Sequence, residues 1–258
     1  YPNVTSAGSW RTGGSLNTAR EYIAGAGVSN SASLGFGGNE PPTSAKTESY
    51  NGTSWTEVAD IPATFNFGNG FGTNTAAIFA GADPASVTTY VWNGSSWATP
   101  GNNLNTNRFI GGTAGTSTAG SIFGGGEPAA SAKQEQWDGT SWTETTDLNT
   151  TRGQLGGSAD SLTSGIVFGG NVPSKTAVTE TWNGTSWTEV GDLNVATGEM
   201  GHSGGSTNAT LSIGGDTGSG ATTKTEAWNG TSWTEIAEMA KARVNFASAG
   251  AANVANLA

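Results

Sequence analysis

A single phrase, Asn-Gly-Thr-Ser-Trp-Thr-Glu, stands three times in this chain, at Asn51–Glu57, Asn183–Glu189 and Asn229–Glu235. Close variants occupy Asn93–Trp97 and Asp138–Glu144, and a worn copy, Ala7-Gly-Ser-Trp10, lies near the start. The anchor tryptophans Trp10, Trp55, Trp97, Trp142, Trp187 and Trp233 follow one another at intervals of 42 to 46 residues. A fixed period in the forties restricts the chain to solenoids, propellers and similar arrays, because one such unit cannot bury its apolar face alone.

The unit from Leu148 to Val190 shows what is repeated. It opens with Asp147-Leu-Asn-Thr-Thr-Arg152 and a run of small residues. Gly165-Ile-Val-Phe-Gly-Gly170 follows, a short β-branched and aromatic segment closed by paired glycines. Val178–Trp182 and Ser186–Val190 alternate apolar and polar residues with the period of a half-buried strand. Asn183-Gly184 between them is a hairpin signal, since Asn and Gly best tolerate the positive φ of a type I′ turn. Each unit thus predicts four antiparallel strands, the small-residue run being the first. The second strand is expected to end at Gly37-Gly38, Ala80-Gly81, Gly124-Gly125, Gly169-Gly170 and Gly214-Gly215.

Four antiparallel strands repeated radially are a β-propeller blade. Five units are complete, and the two ends supply parts of a sixth. Lys241–Arg243 and Asn253–Ala258 match a first and second strand, while Tyr1–Thr5 and Ser9–Gly14 match a third and fourth. The expectation is an all-β, six-bladed propeller over residues 1–258, closed by a blade shared between the termini so that no edge stays open. Paired glycines, then an aromatic (Tyr50, Trp92, Trp137, Trp182, Trp228), then the strand-four Trp, resemble the kelch repeat. The short link from Tyr50 to Trp55 departs from the usual kelch hairpin. The wording Trp-Asn-Gly-Thr-Ser-Trp-Thr-Glu-Val, with Leu-Asn-Thr-Xaa-Arg after it, resembles kelch-like arrays of marine bacteriophage virion and tail-fibre proteins. That resemblance implies a virion-surface or extracellular setting, with a glycan or protein surface, or other virion proteins, as partners.

Composition narrows the functions. A net charge of −10 disfavours nucleic acid and anionic membrane surfaces. No apolar run is long enough to span a bilayer. The absence of cysteine excludes disulfides, thiolate metal sites and cysteine nucleophiles. With His202 the only histidine, no triad or histidine metal cluster can be assembled, and copper-oxidase propellers would need several His and a Cys. The glycine pairs end strands rather than opening helices, so a nucleotide-binding reading fails. The expectation is a protein that is not an enzyme and carries no cofactor.

All ten tryptophans sit at two fixed places of the repeat, so Trp10, Trp55, Trp97, Trp142, Trp187 and Trp233 read as packing anchors. Arg20, Arg108, Arg152 and Arg243 all open strand one, and Phe65 and Thr197 hold that place in the other two units. Glu48, Tyr90, Glu135, Glu180, Glu226 and Asn3 hold one place in strand three. Arg accompanies Glu in three units, and Phe65 accompanies Tyr90, which predicts an ion pair repeated around the ring, the long Arg side chain reaching across strand two because strands one and three are not adjacent in a meander. The rival reading aims the arginines into the channel, as six-bladed sialidases do to hold a carboxylate. Those enzymes also carry a Ser-Xaa-Asp-Xaa-Gly-Xaa-Thr-Trp box, which Asp138–Trp142 does not reproduce. Asp60, Asp147, Asp192 and Glu238 recur between units and could line a channel mouth for a hard cation, or simply form turns. The sequons at Asn51, Asn183 and Asn229 are explained by their turns. The variable loops after strand two, Asn39–Ala45, Ala82–Ser86, Glu127–Ala132, Asn171–Thr176 and Asp216–Thr223, should emerge on one face. Loops on a rigid scaffold are where binding concentrates, so Glu40, Asp83, Glu127, Asn171 and Asp216 are the candidate binding residues.

Overall fold

A computed structural model of the protein describes Trp10 and residues 12–84, 86–126, 129–203 and 206–248. Among these residues the chain is all-β, with five four-stranded antiparallel sheets, each a meander in chain order. The blades comprise Ala24–Ser29, Ala32–Phe36, Thr47–Tyr50 and Trp55–Val58; Asn69–Gly72, Ala77–Ala80, Thr89–Trp92 and Trp97–Ala98; Gly112–Thr116, Ala119–Phe123, Gln134–Trp137 and Trp142–Glu144; Gly156–Ser161, Ser164–Phe168, Thr179–Trp182 and Trp187–Glu189; and Gly201–His202, Leu211–Ile213, Thr225–Trp228 and Trp233–Glu235. The fold is a β-propeller consistent with a kelch-like repeat.

The blade count corrects the expectation of six: there are five. Counting tryptophans counted anchors, not sheets. Trp10 itself lies in no strand and donates its indole N–H to Ala237 O, just past the fifth blade, at 2.9 Å. At the other end no strand is formed between Ile236 and Ser248. The remaining parts of the expected sixth blade, Tyr1–Thr5 and Asn253–Ala258, lie outside the described residues. The last described segment still bridges the ring. Ser248 Oγ donates to His202 O at 2.7 Å and accepts from His202 N at 2.7 Å, while Ala247 and Ser248 crowd Gly25 in the first blade.

Strand one of each blade is innermost and rich in Gly, Ala and Ser, because neighbouring inner strands approach closely around the axis. A Cβ on Gly70 would come within 2.7 Å of Gly25 O. The large apolar side chains lie further out. Phe36, Phe79, Phe123 and Phe168 of strand two are buried between blades. Strand-four tryptophans staple each blade to the one before. Trp97, Trp142 and Trp233 donate to Thr47, Thr89 and Thr179 Oγ1, and Trp187 to Gln134 Oε1, each at 3.0 Å. Strand-three Trp92, Trp137, Trp182 and Trp228 bond backbone carbonyls of Asn74, Ser117, Leu162 and Thr207 in the first hairpin of their own blades. Trp10, beside the fifth blade, and Trp55, in the first, are half-buried, and Trp55 Nε1 donates to Gly14 O at 3.0 Å.

The Leu-Asn-Thr-Xaa-Arg wording folds into a polar knot. Glu48, Glu135 and Glu180 pair with Arg20, Arg108 and Arg152 at 2.8, 2.7 and 2.6 Å, with all six side chains wholly buried. Each Arg also donates to two carbonyls, Gly169 O and Val178 O in the case of Arg152. Each Glu accepts backbone N–H groups from the Asn-Thr pair, as Glu135 does from Asn105 and Thr106. The guanidinium therefore ties strands two and three together, reaching across as the residue covariation required. In the second blade Phe65 and Tyr90 meet at 6.3 Å between ring centroids. In the fifth, where Thr197 holds the arginine place, Glu226 accepts from Asn194 and Val195 N–H. Arg243 is exposed and makes no ion pair among the described residues; its expected counterpart Asn3 lies outside them.

One register detail differs from expectation. Gly81 N bonds Thr88 O as Gly169 N bonds Val178 O, so the second-blade doublet is Gly81-Ala82, not Ala80-Gly81. Gly81 and Gly169 share φ values of +63 and +61. A Cβ on either would sit 2.3 Å from a carbonyl of the next repeat, Arg108 O or Thr197 O. Glycine is needed there for both reasons.

Candidate functional site: the collar of the central channel

Two residues beyond each arginine position the backbone enters the left-handed region. Tyr22, Phe67, Ile110, Gln154, Glu199 and Asn245 have φ between 50 and 58° and are the only non-glycine residues with positive φ among the described residues. They are joined to one another through the main chain. Phe67 N donates to Tyr22 O at 3.1 Å, Ile110 to Phe67 at 3.2 Å, Gln154 to Ile110 at 3.0 Å, Glu199 to Gln154 at 2.9 Å and Asn245 to Glu199 at 3.0 Å. This chain of hydrogen bonds runs around the axis, from the first blade to the segment that follows the fifth. It forms a collar at one mouth of a central channel of about 450 Å³, and all six residues line that channel.

The collar has two unlike arcs. Tyr22 and Phe67 stack with ring centroids 4.0 Å apart, and Phe67 approaches Phe109 at 6.4 Å. Ile110 extends this apolar arc. Across the mouth stand Gln154, Glu199 and Asn245. Asn245 Nδ2 donates to Glu199 Oε2 at 2.8 Å, and Lys175 Nζ donates to Glu199 Oε1 at 2.6 Å. Asn171 Nδ2 donates to Gln154 Oε1. Side chains of one arc are apolar and stacked, and those of the other are cross-linked by hydrogen bonds.

The loops after strand two gather around this mouth. Asn39, Asp83, Gly126, Asn171 and Asp216 each pair with the residue just before the collar position of their own repeat, Glu21, Asn66, Phe109, Gly153 and Gly198. All five loops therefore emerge on one face. Glu40 pairs with Lys46 at 3.0 Å at a half-exposed position. Asp83 is fixed by its backbone bridge to Asn66. Asn171 opens a small hairpin, Asn171–Val172 with Ser174–Lys175, that carries the lysine onto Glu199. Asp216 accepts from Lys175 at 3.1 Å and from the N–H groups of Gly218 and Gly220. The Lys175 bond, followed by those backbone donors, lowers its pKa below the usual carboxylate value. Glu127 lies outside the described residues.

The arginine candidates are not at the channel: Arg20, Arg108 and Arg152 are enclosed within their blades. Nor do the recurrent acids converge. Asp60 and Asp192 each accept the strand-three N–H of their own blade, from Thr47 and Thr179, and Glu238 accepts from Thr223 at 2.5 Å. Among the described residues no group of three His, Asp or Glu is arranged to hold a metal ion. His202 lies along the channel wall, edge-on to Phe168 at 6.5 Å. Burial pushes its pKa down to about 4, against the smaller opposing influence of the Ser203 and Gly157 backbone. Neutral at pH 7, it adds no positive charge to the channel.

The collar is the part of the site that sequence reasoning missed. Its signal was present: one highly variable position, two residues after the arginine place, in an otherwise repetitive unit. Compared with known families and with curated proteins, the sequence matches none.

Proposed function

We propose that this protein is a non-catalytic recognition or decoration module of a virion or other extracellular assembly, binding glycan or protein through the loop face. The observation that carries this reading is the gathering of five dissimilar loops around one channel mouth, above blades whose residues repeat almost unchanged. Such variable loops on a rigid frame are where binding evolves. The virion setting is supported by the likeness of the repeat wording to kelch-like arrays of marine bacteriophage virion and tail-fibre proteins. The burial of Arg20, Arg108 and Arg152 against glutamates argues against a sialidase-like glycosidase or lyase, which would need them to face a substrate carboxylate.

The test is a glycan array together with binding to intact bacterial surfaces, using the full chain. Saturable binding weakened by changing Asp83 and Asp216 to Ala supports the reading. Turnover of a sugar substrate, abolished by one channel substitution, would overturn it. Absence of binding in both assays would leave the protein a structural spacer.

A further inference from the structure

We infer that the collar is a site for the end of a glycan, taking one neutral hexopyranose unit in the channel mouth. This rests on the recognition reading above and deepens it by naming the ligand class and the residues. The sugar's C–H face would lie against Tyr22, Phe67 and Ile110, and its hydroxyl edge against Gln154, Glu199 and Asn245.

Three properties of the collar carry this. The collar opens into a channel of about 450 Å³ that continues past Val28, Thr116 and Ser161 along the inner strands, and small-molecule sites combine a mainly apolar lining with a few placed polar groups. A pyranose is divided in the same way, since its polarised C–H groups suit the negative face of an aromatic ring while its hydroxyls both donate and accept. The polar arc has complementary capacity left after its internal bonds. Gln154 uses Oε1 on Asn171, leaving its Nε2 donor, and Asn245 uses Nδ2 on Glu199, leaving its Oδ1 acceptor.

Charge and rigidity sharpen the choice. Glu199 is already matched by Lys175, which also holds Asp216, so a cationic ligand would have to displace an existing pair. An anionic ligand would meet two carboxylates against one ammonium. A neutral polyol meets neither cost. The left-handed backbone is a strained state for non-glycine residues, and such strain persists where surroundings over-determine it, often at ligand clamps. Here the main-chain bonds between successive collar residues fix it, so the mouth is ordered before any ligand arrives.

The test is titration of the full chain with the methyl glycosides of glucose, galactose, mannose and N-acetylglucosamine, read by calorimetry and saturation-transfer NMR. Phe67→Gly and Asn245→Gly remove one group from each arc and keep a residue suited to positive φ. At least one glycoside is expected to bind, and each variant to bind it at least tenfold more weakly, with Glu57→Ala, exposed on the outer strand of the first blade, within twofold of the parent. Transferred Overhauser contacts from sugar C–H protons to the Tyr22 and Phe67 rings are expected in the unmodified protein, whatever the variants do. Failure of all four glycosides, or unchanged binding by both variants, overturns the proposal. Array binding that survives both collar variants and is lost on changing Asp83 and Asp216 overturns it while leaving the recognition reading in place.

Discussion

Trp142 Nε1 donates to Thr89 Oγ1 at 3.0 Å, from the third blade to the second, at a site where both groups are buried. The bond joins a large apolar anchor to a polar atom that has no water to fall back on. Thr89→Val keeps the shape and removes the acceptor, leaving the indole N–H unsatisfied, at a cost of about 1–3 kcal/mol. Trp142→Ala also opens a cavity among Phe71, Ile122 and Trp137, and about 3–5 kcal/mol of destabilisation is expected. Urea unfolding of the two variants checks the order.

The buried Arg152–Glu180 pair has an apolar counterpart inside the same molecule, Phe65 with Tyr90. Removing one partner of a buried pair strands the other, so Glu180→Tyr alone is expected to cost about 3–5 kcal/mol. Arg152→Phe combined with Glu180→Tyr installs the aromatic pair of the second blade and is expected to regain part of that loss, the Asn149 and Thr150 N–H groups that Glu180 accepts being left without it. A double-mutant cycle in urea reads the coupling. Additive losses would show that the pair and its replacement are not interchangeable.

His202 predicts a specific pH dependence. Its folded pKa of about 4 lies below the ordinary 6.5, so between those values the unfolded chain binds more protons than the folded one. Stability therefore falls as pH drops from 6.5 to 4 and is flat above that window, by about 3 kcal/mol in total for this group. In His202→Gln that component is absent. The difference between the two stability-versus-pH curves isolates it from the carboxylates.

Much of the architecture was legible because side chains carried it. The Asn-Gly turns were legible, but not as the type I′ turns expected: only their glycines, Gly52, Gly94, Gly139, Gly184 and Gly230, take positive φ, and the Asn51 side chain instead closes its own turn by accepting from Thr53 and Ser54 N–H. The Arg–Glu knot was visible because Phe65 and Tyr90 replaced both partners together. The collar was hidden for the opposite reason. Its contacts run through N–H and C=O groups that every non-proline residue has, so Tyr22, Ile110 and Glu199 occupy equivalent places with no chemistry in common. The blade count was misread because Trp10 has the anchor without the Asn-Gly wording, and an indole can reach Ala237 from a residue that is in no strand.

Ile110 offers a test of that backbone geometry. A β-branched residue at φ of 50° is a steric outlier. Alanine retains the Cβ that makes the left-handed state costly by about 1–2 kcal/mol, and glycine does not. Ile110→Gly is therefore expected to be more stable than Ile110→Ala by about 1 kcal/mol, the reverse of the usual order in regular structure. Thermal denaturation of the pair measures it. A more stable alanine variant would place Ile110 outside the left-handed region.

Because the main-chain chain from Tyr22 to Asn245 holds the collar residues together without reading their side chains, natural variation can exchange the surface at this mouth position by position while the closure beneath stays intact. Six adjacent places on a fixed circle, coupled only where their own side chains meet, as those of Tyr22 and Phe67 and of Glu199 and Asn245 do, form a combinatorial palette, comparable in logic to the hypervariable positions of an antibody.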